Sequence, residues 1–424
     1  MKNLLKVSVV VTLCCLMLAP GAKSAGIAER PSARGPAPRA YRFINGLWLS
    51  GGSFKARTTY SVGGVFRMSY RGKVDETIDL GGKFVVPPFA EAHTHHFMEG
   101  MDYRSLIDDY FARGIFYAMN TNSLKKLSDP IRSYFNKPEG IDVIYANGGL
   151  TATGGHPVQI YDYLAGQNIL PGMSREDMKN QAYFIIDNEA DLDSAWGIIK
   201  AGKPDFIKVY LEYSEEYQAR KDDPKYYGKK GLDPALLPRI VARAHADGLR
   251  VAAHIDTAMD FHNALVAGVD IMAHLPLARI TDADARMAAS RKTIVVTTTM
   301  SHRKTDHVSG LDDINRHNLR LLHGAGVRLA VGTDDNSRTA LAEAENLHRL
   351  GVFDNLTLVR LWSEASAQAI FPGRKIGLLE EGYEASFLAL EGNPVDDFSN
   401  VKRIAFRFKQ GHVIGAPGAR AGSK

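Results

Sequence analysis

From residue 84 onward the chain repeats one rhythm: a short apolar string, then a longer stretch with helical spacing and glycine near its end. The strings are "FVVPPFAEAH" from 84, "GIFYAMNTN" (114–122), "IDVIYANGG" (141–149), "DFIKVYL" (205–211), "RVAAHID" (250–256), "DIMAHLP" (270–276), "TIVVTTT" (293–299) and "VRLAVGTDD" (327–335). Strings this short, rich in β-branched residues and without polar alternation, are strands buried on both faces, as in a parallel sheet covered by helices. Between or after them lie helical stretches such as "PALLPRIVARAHADG" and "ALAEAENLHRLG", whose closing glycine is a helix-stop signal. Eight such strands alternating with helices predict an α/β chain built as a parallel (β/α)8 TIM barrel over 84–375.

The flanks have a different texture. Pieces such as "YRFINGLWL", "YSVGGVFRMSY" and "ETIDLGGKF" alternate between glycine turns. They predict a small antiparallel sheet over 41–83. Residues 25–40 are rich in Pro, Ala and Arg without apolar periodicity and read as a flexible leader.

The first 24 residues pair a basic start, "MKNLLK", with the thirteen-residue apolar run "VSVVVTLCCLMLA" and with Ala22 and Ser24 before Ala25. The run is too short for a permanent bilayer span, so it reads as a cleaved signal, leaving no stable membrane span and placing the mature protein in the bacterial periplasm or outside the cell. Both cysteines, Cys14 and Cys15, lie within it. The mature chain would then have no disulfide and no thiolate, so any metal must be held by His, Asp, Glu or a modified Lys.

The 424 residues are 45% hydrophobic and 23% charged, a globular composition, and the net charge of +5 is spread too thinly for a nucleic-acid surface. A small-molecule substrate is the partner that fits, and homo-oligomerisation is left open.

In a (β/α)8 barrel the reactive side chains come from the C-terminal ends of strands. Those ends carry metal-competent groups: His93 and His95 on strand one, Lys208 on strand four, His254 on five, His274 on six and Asp334 on eight. His93 and His95 are two residues apart on one strand and therefore point to the same side. Each feature alone is commonplace, since a lone His-x-His pair or a buried lysine is usually structural. Six such groups at five strand ends are hard to obtain from packing, because His and Asp are costly to bury without partners.

These residues resemble the amidohydrolase superfamily of metal-dependent hydrolases, from about Tyr41 to Ile414. "IDLGGKFVVPPFAEAHTHH" is similar to that family's entry into its first barrel strand, and "KIGLLEEGYEASFLALEGNPV" to its return to the small β domain, which implies that 376–416 joins 41–83 in one small β-sandwich domain. "GGLTATGGHP" and "FIKVYLE" resemble the branch of imidazolonepropionase-like proteins and Xaa-Pro or Xaa-Arg dipeptidases. The resemblance implies two divalent ions, zinc by expectation: His93, His95 and Asp334 on one, His254 and His274 on the other, and Lys208, carbamylated by carbon dioxide, bridging them. An ammonium has only donors and repels cations, whereas a carbamate is an anionic oxygen ligand.

Asp334 is then both ligand and acid/base catalyst. His156 resembles the family's loop histidine and is expected, with Tyr210, to bind substrate, although turn stabilisation and packing are competing roles. His96 faces away from the pair and is expected to pack. Pro88 stands where a glycine is usual, Glu91 where an aspartate is usual, and Glu384 and Ser386 where aspartates are usual. Glu91 is expected to keep a hydrogen bond to a ligand histidine. The charged, tyrosine-rich stretch 212–233 is expected to be either a lid or a solvated insert.

The implied activity is hydrolysis of an amide in a dipeptide or N-acyl amino acid. The alternatives are a mononuclear deaminase-like or imidazolonepropionase-like hydrolase of cyclic amidines or lactams, a lactone or ester hydrolase, and a silent binding protein on the same scaffold. Lys208 argues against the mononuclear reading, and Asp334 against the silent one.

Overall fold

The computed structural model describes residues 39–98, 102–167, 169–170, 172–302 and 309–415, apart from the side chain of His302. The expected signal, and the leader up to residue 38, lie outside the described residues. In chain order the strands are β1 (Ala40–Ser50), β2 (Ser53–Val62), β3 (Val65–Arg67), β4 (Glu76–Asp79), β5 (Phe84–Val86), β6 (Phe89–Thr94), β7 (Ile115–Asn120), β8 (Asp142–Tyr145) and β9 (Gly149–Thr151). They continue with β10 (Tyr183–Ile185), β11 (Ile207–Tyr210), β12 (Val251–His254), β13 (Ile271–Met272), β14 (Ile294–Val296), β15 (Arg328–Ala330), β16 (Phe387–Leu390), β17 (Ile404–Lys409) and β18 (His412–Val413).

The eight apolar strings of the sequence all become strands, and every pairing among β6 to β15 is parallel. β6, β7 and β8 form one sheet, and β10-β9-β11-β12-β13-β14-β15 another. The third string is split between them because Asn147 takes a left-handed φ of 59°. Before that bend β8 pairs with β7, and after it β9 pairs with β11. At the other side Ala92 N donates to Val331 O (2.9 Å) and Asp334 N to His93 O (2.9 Å), tying β6 to the segment that follows β15. The short strand β10, absent from the sequence reading, lies against β9.

The helical stretches also form, including Leu237–Ala246 and Ala340–Leu350. Gly248 (φ 74°) and Gly351 (φ 66°) end these two helices in the left-handed conformation that glycine adopts without strain. No helix among the described residues is long and apolar enough to cross a membrane.

The two flanks meet in one mixed sheet of eight strands, ordered β18-β17-β16-β5-β1-β2-β3, with β4 beside β1. Its join is β5, parallel to β1 and antiparallel to β16, so a strand from the start of the chain holds one from its end. Phe43 packs edge-on against Phe387 and Phe408, with centroids 4.9 Å from each, and Trp48 lies 5.0 Å from Phe387. All four rings are fully buried, and such tilted arrangements add to the free energy of burial itself.

A buried ionic group links this sheet to β8. Lys409 Nζ, fully buried, donates to Asp142 Oδ1 (2.6 Å) and to the carbonyls of Lys137 (2.8 Å) and Gly140 (2.9 Å). Arg374 reaches Asp142 Oδ2 (2.8 Å) and Glu384 (2.6 Å), so Glu384 keeps an acidic role in the tail. Replacing Lys409 by Met takes the Lys409 donor from the Gly140 carbonyl and from Asp142 Oδ1, both buried, while Lys137 O keeps the amide of Gly140. Loss of about 3 kcal/mol or more of stability is expected, read as a lower urea midpoint at unchanged m.

Candidate active site

The six metal-competent groups face one cavity of about 570 Å³. Their rings and carboxylate are oriented by the backbone. His93 Nδ1 lies 3.0 Å from Ala273 O and His95 Nδ1 lies 3.1 Å from Asn122 O. A carbonyl only accepts, so each ring carries its proton on Nδ1 and presents the Nε2 lone pair to the cavity. Both lone pairs converge on Asp334 Oδ1, at 3.4 Å from His93 and 3.1 Å from His95. Burial pushes the His93 imidazole well below its ordinary range, so the ring is neutral. Two lone pairs aimed at a carboxylate oxygen repel one another unless a cation joins them, and the three donor atoms lie within 4.8 Å of one another. This donor set fits a divalent ion.

A second pair forms beside it. His254 Nδ1 and His274 Nε2 converge to 2.8 Å, and His274 Nδ1 is held by Thr298 Oγ1 at 2.9 Å. The His274 ring centroid is 4.7 Å from that of His93, so the two clusters adjoin. Lys208, buried on β11, makes no hydrogen bond among the described residues. Burial pushes its ammonium down to about 7, with Asp334 opposing the shift. A buried amine that is half neutral near neutral pH can react with carbon dioxide, and the resulting anion would supply the ligand that the second pair lacks.

Glycines clear the space. A Cβ on Gly149 would lie 2.4 Å from the Tyr210 ring and 3.1 Å from Lys208 Cγ, and one on Gly332 would lie 2.5 Å from His93 N. Asp334 itself has a left-handed φ of 51°, a conformation that Asp tolerates better than most residues.

The two expected substrate-binding residues also reach this cavity. The Tyr210 hydroxyl accepts from Asn122 Nδ2 (2.8 Å), which leaves its own proton for another acceptor. His156 stacks on His254 at 4.6 Å, and burial lowers its imidazole to about 3, so it is neutral. Sequence reasoning missed Asn122, which also accepts from the Tyr161 hydroxyl (2.5 Å).

It also missed Glu212 and Asp256, which with His254 form a second potential metal-binding group. The period of two was the available signal: 208, 210 and 212 share one side of the fourth string, and 254 and 256 one side of the fifth. His254 Nε2 is 3.5 Å from Asp256 Oδ1, the arrangement by which a carboxylate orients a ligating imidazole. Burial raises the Glu212 carboxyl to about 9.

One expectation needs correction. Glu91 does not hold a histidine ring. Its Oε1 accepts from the amides of Thr333 (2.9 Å) and His93 (3.3 Å), and its Oε2 from Thr333 Oγ1 (3.0 Å), because the His93 ring is already taken by Ala273. It therefore joins the backbones of the first and eighth strands. No residue of the 212–233 insert lines the cavity, although Glu212 stands 4.0 Å from His156 Nδ1. It closes on Arg220, buried between the Tyr213 and Tyr226 rings (3.7 and 4.5 Å) and bonded to Glu216 (2.8 Å). Lys230 O accepts from His156 N (2.8 Å), so the insert braces the histidine loop. The apolar cover comes from Pro157, Ile160, Leu164, Ile169 and Leu170 instead.

His96 packs as expected, between the Tyr110 hydroxyl and Asp335 O, at 2.9 Å from each. His245 and His262 pair with Asp270 (2.9 Å) and Asp284 (2.7 Å), away from the cavity.

Solved structures share this fold at low identity. An amidohydrolase matches with TM-score 0.69 and 20% identity over 88% of this chain and 98% of its own. The Aspergillus niger ochratoxinase matches with TM-score 0.71 and 18% identity, covering 90% and 97%. A Xaa-Pro dipeptidase with methionine bound in its active site matches with TM-score 0.68 and 17% identity, covering 88% and 99%. No curated protein matches the sequence. The model of the amidohydrolase family matches residues 84–414, which takes in every strand end that supplies the site. This chain belongs to the amidohydrolase family and is a metal-dependent hydrolase acting on carbon–nitrogen bonds.

Proposed function

We propose that the protein is a secreted or periplasmic binuclear amide hydrolase acting on a dipeptide or an N-acyl amino acid. The observation that carries this reading is the convergence of six metal-competent groups on one cavity, with two imidazole lone pairs directed at Asp334. His93, His95 and Asp334 would hold one ion, His254 and His274 another, and carbamylated Lys208 would link them. Carbamylation joins the Lys208 nitrogen to the carbon of carbon dioxide and releases one proton. Two zinc ions bound there would polarise the scissile carbonyl and make water acidic enough to attack near neutral pH.

The rest falls to the side chains. Asp334 takes the proton of the attacking water. The water oxygen adds to the carbonyl carbon, the carbon–nitrogen bond breaks, and Asp334 returns the proton to the departing amine, so that acid and amine are the products. The Tyr210 proton, not used by Asn122, can be donated to the developing oxyanion. Asp256 fixes the His254 ring, and the apolar cover limits bulk water around the reacting atoms.

The same reading takes 84–375 as a (β/α)8 barrel, supported by the two hydrogen bonds from β6 to the segment after β15, and the 41–83 and 376–416 flanks as a β-sandwich domain. It also takes 1–24 as a removed signal.

The test is hydrolysis of a library of dipeptides and N-acyl amino acids by the zinc-loaded protein, with products identified by mass. Release of a free amine and an acid from at least one class is expected. Turnover confined to lactones or to cyclic amidines would replace the amide reading.

A further inference from the structure

The cavity is not a polar slot. Met98, Pro157, Ile160, Leu164, Ile169 and Leu170 share it with the histidines and Asp334. Most come from the segment after β9, in which the helix Val158–Gly166 is followed by Ile169 and Leu170. Ile160 and Leu164 are one helical turn apart, so they stand on the same face.

This wall is held in place by packing of its own. Tyr161 and Leu170 belong to a second apolar cluster, separate from the main core, with Leu124, Met173 and Met178, and Met98 and Leu164 pack against it. The wall is therefore preorganised. Yet Ile160 is 42% exposed and Ile169 is 52% exposed, so the cluster does not use up their surface. Apolar surface kept wet in a concave site gains free energy when an apolar ligand covers it.

We infer that the substrate carries a bulky apolar group, a long alkyl chain or an aromatic ring, beside the scissile amide, and that this group is buried against the wall formed by Pro157, Ile160, Leu164, Ile169 and Leu170. This rests on the amide-hydrolase reading and narrows it: small polar dipeptides would leave the wall uncovered, whereas N-acyl amino acids with extended acyl groups, or amides of bulky apolar amines, would fill it. Ile160 and Ile169 are then specificity-determining residues, close to the site through the fold although far from the metal-competent groups in sequence.

Two homologous series of ketones, with methylene in place of the scissile nitrogen, separate binding from turnover. One series lengthens the alkyl chain on the acyl side and the other on the amine side. Binding to the full-length zinc-loaded protein is measured by calorimetry, and hydrolysis of the matching amides is followed in parallel. In at least one series each added methylene should tighten binding about fourfold until the cavity is filled. Ile160→Asn combined with Ile169→Asn should flatten that dependence at an unchanged melting temperature. Ile160→Trp, which narrows the cavity, should shift the limit to shorter chains. Affinity independent of chain length in both series would overturn the inference even if the amides are hydrolysed. Chain-length-dependent binding with none of the amides hydrolysed would uphold the apolar site and sink the hydrolytic reading instead.

Discussion

Asp334→Asn lowers kcat by roughly 100-fold or more while ketone analogues still bind, because a carboxamide cannot carry the proton from water to the leaving amine. The site makes this change clean enough to interpret. Asp334 N is fixed by His93 O, and both imidazole nitrogens lie beside the same oxygen, Oδ1, which an asparagine carbonyl can replace as a neutral ligand oxygen. The metal content of the variant, measured by elemental analysis, separates loss of an ion from loss of the proton carrier. Turnover within tenfold of wild type at equal metal content would remove Asp334 from the acid/base role.

Lys208→Ala should bind about one equivalent of zinc fewer than wild type and lose at least as much activity. The buried amine also predicts a pH dependence for assembly. Only the neutral amine reacts with carbon dioxide, and burial brings the group down to about 7. The neutral fraction thus climbs from roughly a tenth one unit below that value to roughly nine tenths one unit above it. Metal-free protein given zinc at a fixed concentration of dissolved carbon dioxide should therefore regain its second equivalent several-fold faster at pH 8 than at pH 6. Equal metal content in wild type and Lys208→Ala would favour a mononuclear centre, and a rate independent of pH would argue against carbamylation.

The insert at 212–233 shows where reading the chain runs short. Its composition allows both a lid and a solvated surface. What placed it was Arg220, which gathers Tyr213, Tyr226 and Glu216 around one guanidinium and turns the segment into a brace for the His156 loop. No periodicity encodes such a closure, because its partners are set by side-chain packing within an irregular segment. The apolar wall was equally hidden. Ile160, Leu164, Ile169 and Leu170 read as ordinary helix and loop hydrophobics until the backbone turned them toward the histidines.

Glu91 marks the same boundary at the level of a single bond. Its place two residues before His93 was legible and suggested support for a ligand ring, but the carboxylate instead joins two backbones, while Ala273, just past β13 and 180 residues away, holds the ring.

The sequence by itself determined the parallel strands and the side chains at their ends, because strand burial and the alternation of side-chain direction are local, written in apolar runs and a period of two. Thus His93, His95, Lys208, His254, His274 and Asp334 could be named from the chain. Only the tertiary structure decided which atom of each group faces the cavity, which backbone carbonyl fixes each ring, and which hydrophobic residues surround the site. Those choices depend on contacts between segments far apart in sequence, and such contacts leave no periodic trace in the chain.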